Sequence, residues 1–135
     1  MVVTNWLIDK SALVRVGAVD DAAVWADRIT RGLVRITTVT LLEVGFSARN
    51  ERDWRTLVHG VPVGQMPVEL MTPAAERRAV EVQRLLSLRG QHRAPSVPDL
   101  LIAAIAEHAG LTLLHVDKDF ELIAEVTQQS LARLA

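Results

Sequence analysis

Cysteine is absent from this 135-residue chain, and so is tyrosine. Without thiols there is neither a disulfide framework nor a thiolate zinc site, which suits a reducing cytoplasm. Aromatic residues make up only 4% of the chain, as three tryptophans and two phenylalanines. That is too few for a platform on which nucleic-acid bases stack. No stretch approaches the roughly 20 apolar residues needed to cross a bilayer. Asp9 and Lys10 interrupt the only early apolar run, with no basic segment before it and no small-residue cleavage pattern after it, so no secretory signal is expected. A glycine-rich phosphate loop and a Ser-His-Asp order are also missing, so P-loop nucleotide hydrolysis and triad-type acyl transfer find no support. Nor is there a large charge of one sign. A net charge of -1 provides no bulk attraction for nucleic acid and leaves only local basic patches to do that work.

What remains describes a folded chain. Half the residues are hydrophobic and 23% are charged, which argues against disorder. The length is enough for one cored domain. No repeat, low-complexity tract or linker divides the chain, so a single domain over residues 1–135, in the cytoplasm and not bound to a membrane, is expected. Thirteen of the 15 basic residues are arginine. Arginine suits planar, bidentate contacts with phosphate or carboxylate, although a GC-rich genome would give the same bias.

The hydrophobic pattern alternates between strand and helix. Val2–Asp9 reads as a buried strand, followed by a helical turn from Ser11 to Val16. Asp20 or Asp21 is placed to cap a helix that Gly32 ends, and Leu33–Thr37 is a β-branched strand. Thr38 or Thr40 then caps a helix carrying Glu43, which continues through Asp53–Val58 to the breakers Gly60, Pro62 and Gly64. Met66–Leu70 is a marginal strand. Thr72-Pro73 opens a long helix that runs to Gly90. Ser96 opens the next, with Asp99 in its first turn, and Gly110 closes it. Leu111–Val116 is a buried strand, Asp119–Val126 a helix, and Gln129–Leu134 a last strand or a frayed tail. Strands alternating with helices imply crossovers and a mainly parallel sheet. Ligands of such sheets bind beyond the carboxyl ends of the strands, which puts Asp9 and Asp117 at one rim, within reach of helices bearing Glu43 and Asp99.

Those acids share an unusual setting. Asp9 ends the run Trp6-Leu7-Ile8, Glu43 lies between Leu42 and Val44, Asp99 precedes Leu100-Leu101-Ile102, and Asp117 with Asp119 follows Leu113-Leu114-His115-Val116. A carboxylate in an apolar frame is costly to desolvate unless it is paired or binds a cation. Singly, several have simpler uses: Asp99 favours a helix dipole, Asp117 and Asp119 suit a turn and a cap, and Asp9 can begin a turn. Gathered at one rim, they would repel one another until a hard cation such as Mg2+ or Mn2+ neutralised them. Such a site suits hydrolysis of a phosphodiester.

The motifs Leu7-Ile8-Asp9-Lys10-Ser11-Ala12, Glu43 within an apolar helix, Pro98-Asp99-Leu100-Leu101-Ile102-Ala103 and Asp117-Lys118-Asp119-Phe120 together resemble the PIN-domain ribonucleases. The length and the segment from His92-Arg93 to Pro98-Asp99 are most similar to the VapC toxins of bacterial toxin–antitoxin pairs. The resemblance implies a PIN-like three-layer α/β/α sandwich, with a central, mainly parallel sheet of four or five short strands. It further implies a Mg2+- or Mn2+-dependent endoribonuclease that cuts a structured RNA, with Asp9, Glu43, Asp99 and Asp117 as the acidic quartet. Asp9, Asp99, Asp117 and Asp119 are the expected metal ligands, and Ser11 supports them. A homodimer restrained by a cognate VapB-type antitoxin, which inserts a segment into the active-site groove, is the expected assembly.

Position 10 departs from the family, where many members carry threonine. If the strand keeps its period of two, Lys10 points away from Asp9 and outward, toward substrate phosphate. Arg15, Arg89, His92 and Arg93 are further candidates for contact with RNA or antitoxin, against the plainer use of cations near a helix C-terminus. His115 reads as a satisfied core or rim histidine, and His59 and His108 as structural or solvated. Lys10 also keeps open the alternative of a catalytically inactive PIN-like module that binds RNA or a protein partner. A small-molecule phosphatase is the weaker third reading, because such sites usually place a second Asp where Ser11 stands.

Overall fold

The computed structural model describes residues 4–134. Five short strands form one sheet: β1 (Trp6–Ile8), β2 (Val34–Thr37), β3 (Val68–Glu69), β4 (Thr112–His115) and β5 (Leu131–Arg133), in the order β3-β2-β1-β4-β5. Every pairing is parallel, with Trp6 opposite both Val34 and Thr112. Helices α1 (Lys10–Leu13), α2 (Ala22–Thr30), α3 (Thr38–Phe46), α4 (Glu51–His59), α5 (Pro73–Leu88), α6 (Val97–Ala109) and α7 (Lys118–Thr127) make the connections.

Period-two alternation sorts the core into two layers. Leu7 and Leu113 face one side of the sheet, against Ala79, Val82 and Leu86 of α5, Ile102 and Ile105 of α6, and Phe120 and Ile123 of α7. Their neighbours Ile8 and Leu114 face the other side, with Ala12, Trp25, Ile29 and Val63. Sheet strands buried on both faces read as continuous apolar runs, as Trp6-Leu7-Ile8 and Leu113-Leu114 do. The result is a three-layer α/β/α sandwich. The lower end of the sheet is closed by Trp6 and Trp25, edge to face at 5.2 Å. The Arg28 guanidinium lies 4.6 and 4.5 Å from their ring centroids.

From β1 the chain adds strands on one side as far as β3, then crosses to β4 and β5 on the other. The gap between β1 and β4 is therefore the switch point where ligands of open α/β sheets bind. Asp9 follows β1 there, and Asp117 lies just past β4.

Several expected boundaries shift. The first strand begins at Trp6, and Val2 and Val3 lie outside the described residues. The cap of α3 is Thr37, neither Thr38 nor Thr40: its hydroxyl accepts the Thr40 N–H at 3.0 Å, and both threonines are fully buried. The helix expected to run on from Glu43 breaks after Phe46 and restarts as α4, because extended Asn50 caps Asp53 N–H at 2.8 Å. Gly45 lets the pieces fold back on each other, since a methyl group there would sit 2.5 Å from the Trp54 indole nitrogen. The third strand shrinks to two residues, and the last segment is a strand, with Leu113, Leu114 and His115 in register with Leu131, Ala132 and Arg133.

Candidate metal centre and active site

Helix starts bring most of the acids to the rim. Asp9 is the N-cap of α1: its Oδ1 accepts the Ala12 N–H at 3.3 Å and the Ser11 hydroxyl at 2.7 Å. Asp117 is the N-cap of α7 and accepts the Asp119 N–H at 2.9 Å. Asp99 lies in the first turn of α6, where its own N–H donates to the Ser96 cap at 3.2 Å. For Asp9 and Asp117 the plain use as caps and the gathering at a site are the same fact, because the parallel strands β1 and β4 aim the helix N-termini that follow them at one edge.

Asp9, Lys10, Ser11, Glu43, Arg93, Ser96, Asp99, Asp117 and Asp119 all line one open cleft of about 640 Å3. Within it, Asp99, Asp117 and Asp119 each present a carboxylate oxygen within 4.8 Å of the other two. Oxygens around an octahedral Mg2+ stand about 3 to 4.2 Å apart, so an all-oxygen donor set gathered this closely suits one hard cation. Asp9 lines the same cleft outside this tightest group, with its Oδ1 bonded to Ser11 and Ala12.

The electrostatics agree with a site short of positive charge. Burial pushes Asp99 up to about 6, and the neighbouring Asp117 and Asp9 charges push the same way, against the lowering effect of Ser96 hydrogen bonds. Burial also raises Asp9, with the Ser11 hydrogen bond opposing it. Asp119 is raised by burial and then by Asp117. Glu43 is raised by burial, held back by Lys10 and raised further by Asp9. Among the described residues no lysine or arginine side-chain nitrogen lies within 4.0 Å of a carboxylate oxygen of these five acids, whereas eight other acids are in such pairs.

Two sequence arguments need correction. The strand ends at Ile8, so Lys10 does not follow a period of two. It opens α1 and lies on the cleft wall, near enough to Glu43 to favour its ionised form. The apolar frame around Glu43 is only half buried: Val44 is in the core, whereas Leu42 is 69% exposed. Of the remaining basic candidates, Arg93 lines the cleft. Arg15 and His92 are exposed and do not line it, and Arg89 bonds Glu125 at 3.0 Å.

Ser11 does more than touch Asp9. Its hydroxyl also accepts the Val116 N–H at 3.1 Å, tying the exit of β1 to the exit of β4. His115 is a buried residue, as expected, but its ring nitrogen accepts the Asp117 N–H at 3.1 Å. Burial holds its pKa below the ordinary value. Ser96 was legible as a cap, but not as part of the cleft.

A profile of the PIN domain matches residues 6–126. The chain is 58% identical over 130 residues to Ribonuclease VapC2 of Mycobacterium tuberculosis, covering 96% of this chain and 92% of that protein. The chain belongs to the PIN-domain family, among the VapC proteins. A second VapC relative, Ribonuclease VapC51 of the same species, is 42% identical, covering 93% of this chain and 89% of that one. The PIN fold itself is matched by the crystal structure of VapBC2 from Rickettsia felis bound to a DNA fragment from its promoter. That match has a TM-score of 0.79 at 14% identity and covers 98% of this chain and 100% of that one. The matched PIN segment contains every carboxylate of the cleft.

Proposed function

We propose that this PIN domain is a Mg2+- or Mn2+-dependent endoribonuclease of the VapC type, cutting phosphodiester bonds of a structured RNA and inhibited by a cognate VapB-type antitoxin. One observation carries the reading: five carboxylates share a cleft at the switch point of the sheet, and among the described residues none of them is in a direct ion pair with a lysine or arginine. An acidic cluster left in that state repels itself, and a divalent cation resolves the repulsion. The relatives named as ribonucleases supply the chemistry, and the solved toxin–antitoxin assembly supplies the partner.

Asp99, Asp117 and Asp119 would hold the ion, with Asp9 beside them. When bound, the ion supplies Lewis-acid polarisation of the scissile phosphate and an acidified water. The residues do the rest. Ser11 fixes Asp9 against the β4 exit. Glu43, half-buried with a raised pKa, is suited to take the proton of the attacking water. Lys10 and Arg93 on the cleft wall balance phosphate charge, so the polynucleotide meets positive charge before it meets the acids. We assign the apolar surface around Leu42, Phe46, Val80 and Val97, all exposed in the single chain, to a homodimer contact, because apolar area of this kind is buried in stable assemblies.

The test is cleavage of total RNA by the purified chain with Mg2+ or Mn2+, beside Asp9→Asn and Asp99→Asn. Cleavage that requires both the metal and the two carboxylates is expected. Cleavage that persists in chelator, or in both variants, would overturn the assignment. Binding of RNA without cleavage, with no uptake of Mn2+, would favour the inactive module that Lys10 keeps in view.

A further inference from the structure

His115 is buried, at 1% exposed, and it stands at the carboxyl end of β4, two residues before Asp117. The Asp117 N–H donates to its Nδ1 at 3.1 Å. A ring nitrogen that accepts carries no proton, so the proton of the neutral ring resides on Nε2. The ring is tilted at 58° against Phe120, with centroids 5.5 Å apart, and the His115 carbonyl accepts the N–H of Leu134, just past the last strand, at 2.8 Å.

The hydrogen bonds form a chain. His115 Nδ1 accepts from Asp117 N–H, and Asp117 Oδ1 accepts in turn from Asp119 N–H. The preceding amide, Val116 N–H, is held by Ser11 from across the sheet. Two successive amides at the β4 exit are therefore clamped by two side chains, one from each lip of the cleft. A polypeptide leaving a strand has freedom in its first residues, and here that freedom would be transmitted directly to two of the three converging carboxylates.

We propose that His115 is a positioning residue for the metal centre: its Nδ1 fixes the Asp117 backbone, and through Asp117 the start of α7, so that the Asp117 and Asp119 carboxylates are preset toward Asp99. This rests on the metal reading given above. The role asks for an acceptor at the δ position inside a space large enough for a ring. Asparagine offers Oδ1 at that position, whereas phenylalanine fills the space and offers nothing.

The decisive measurement is Mn2+ affinity by calorimetry for the wild-type chain, His115→Phe and His115→Asn, with melting temperatures beside it. Loss of an outer-shell partner typically weakens metal binding about 10- to 100-fold, and a loss near the lower end is expected for His115→Phe, with His115→Asn recovering most of it. Equal affinity of His115→Phe and wild type would overturn the proposal, as would equal loss in both variants, which would make the role one of packing. Should neither variant fold, long-range proton–nitrogen correlations of the wild-type imidazole decide it: an unprotonated Nδ1 is required, and a proton on that nitrogen refutes the bond. A wild-type chain that takes up no Mn2+ would sink the metal reading itself, whichever tautomer is found, and leave His115 nothing to position.

Discussion

The acids of this PIN domain fall into two populations that live by different rules. On the outer helices, Asp27, Glu51, Asp53, Glu81, Glu107, Glu121 and Glu125 each meet an arginine, as does Glu69 at the sheet edge. In the cleft, Asp9, Glu43, Asp99, Asp117 and Asp119 line one shared space, and none of them is in such a pair. The chain has 13 arginines and spends many of them on ordinary surface pairs, yet it leaves the most crowded carboxylates without one. Surface pairs contribute little and tolerate loss. A crowded cluster that stays anionic lowers stability until something cationic arrives, and its persistence points to a ligand rather than to the fold.

Substitutions in the two populations should therefore act in opposite directions. The largest effect expected is on activity: Asp99→Asn or Asp117→Asn should reduce metal-dependent RNA cleavage by at least about 100-fold, more than the loss of an outer-shell partner, measured by single-turnover cleavage. The same Asp99→Asn change should leave the metal-free melting temperature unchanged or slightly higher, since it removes a charge from a repelling group. A fall of several degrees would blur the distinction between the populations.

Next in size is stabilisation by the ion. Saturating Mn2+ should raise unfolding stability by about 3 kcal/mol at a hundred times its dissociation constant, read by denaturant titration. Asp117→Asn should abolish most of that gain, and Glu81→Gln none of it.

The pH dependence follows from the same crowding. Asp99 is raised from 3.8 to about 6, so between those values the folded chain binds more protons than the unfolded one. Stability of the metal-free chain should therefore fall as the pH rises from about 4 to 6, by on the order of 1 kcal/mol after allowance for solvent screening. Mn2+ affinity should move the opposite way and weaken as the pH drops through 6, because protons compete for the same oxygens. Melting curves with and without Mn2+ across this range would test both signs.

Among the surface acids, Glu107 should matter most. It accepts from Arg78 through two oxygens, at 2.7 and 3.1 Å, on a half-buried face between α5 and α6. Glu107→Gln should lower stability by about 1 kcal/mol with cleavage unaffected. At the bottom of the scale, Arg31→Gln breaks a 3.6 Å pair whose side chains are more than 60% exposed, and a change under about 0.5 kcal/mol is expected.

The contrast also explains what could be read from the sequence. Strand and helix types, the parallel sheet and the rim of Asp9 and Asp117 followed from apolar runs and caps, because buried parallel strands and helix N-termini leave local marks. The Ser96 cap and the first-turn position of Asp99 were legible for the same reason. Boundaries set by tertiary contact were not: the break between α3 and α4 depends on Trp54 packing over Gly45, and the shift of the cap to Thr37 depends on a buried threonine pair. Glu43 reaches the cleft wall from a helix whose apolar run is divided, with Val44 inward and Leu42 outward, a division that an unbroken apolar pattern does not reveal. The Lys10 argument failed because strand periodicity was carried past the strand's end. No local pattern distinguishes Arg93, on the cleft wall, from Arg89, held by Glu125. That difference is made by the fold alone.

The placement of β1 beside β4 has a temporal meaning. Asp9 leaves the ribosome long before Asp117 and Asp119, and the acids of the two strand exits cannot share a cleft until all three are out. The acidic cleft is thus absent from the nascent chain until β4 and the start of α7 have emerged and paired with β1.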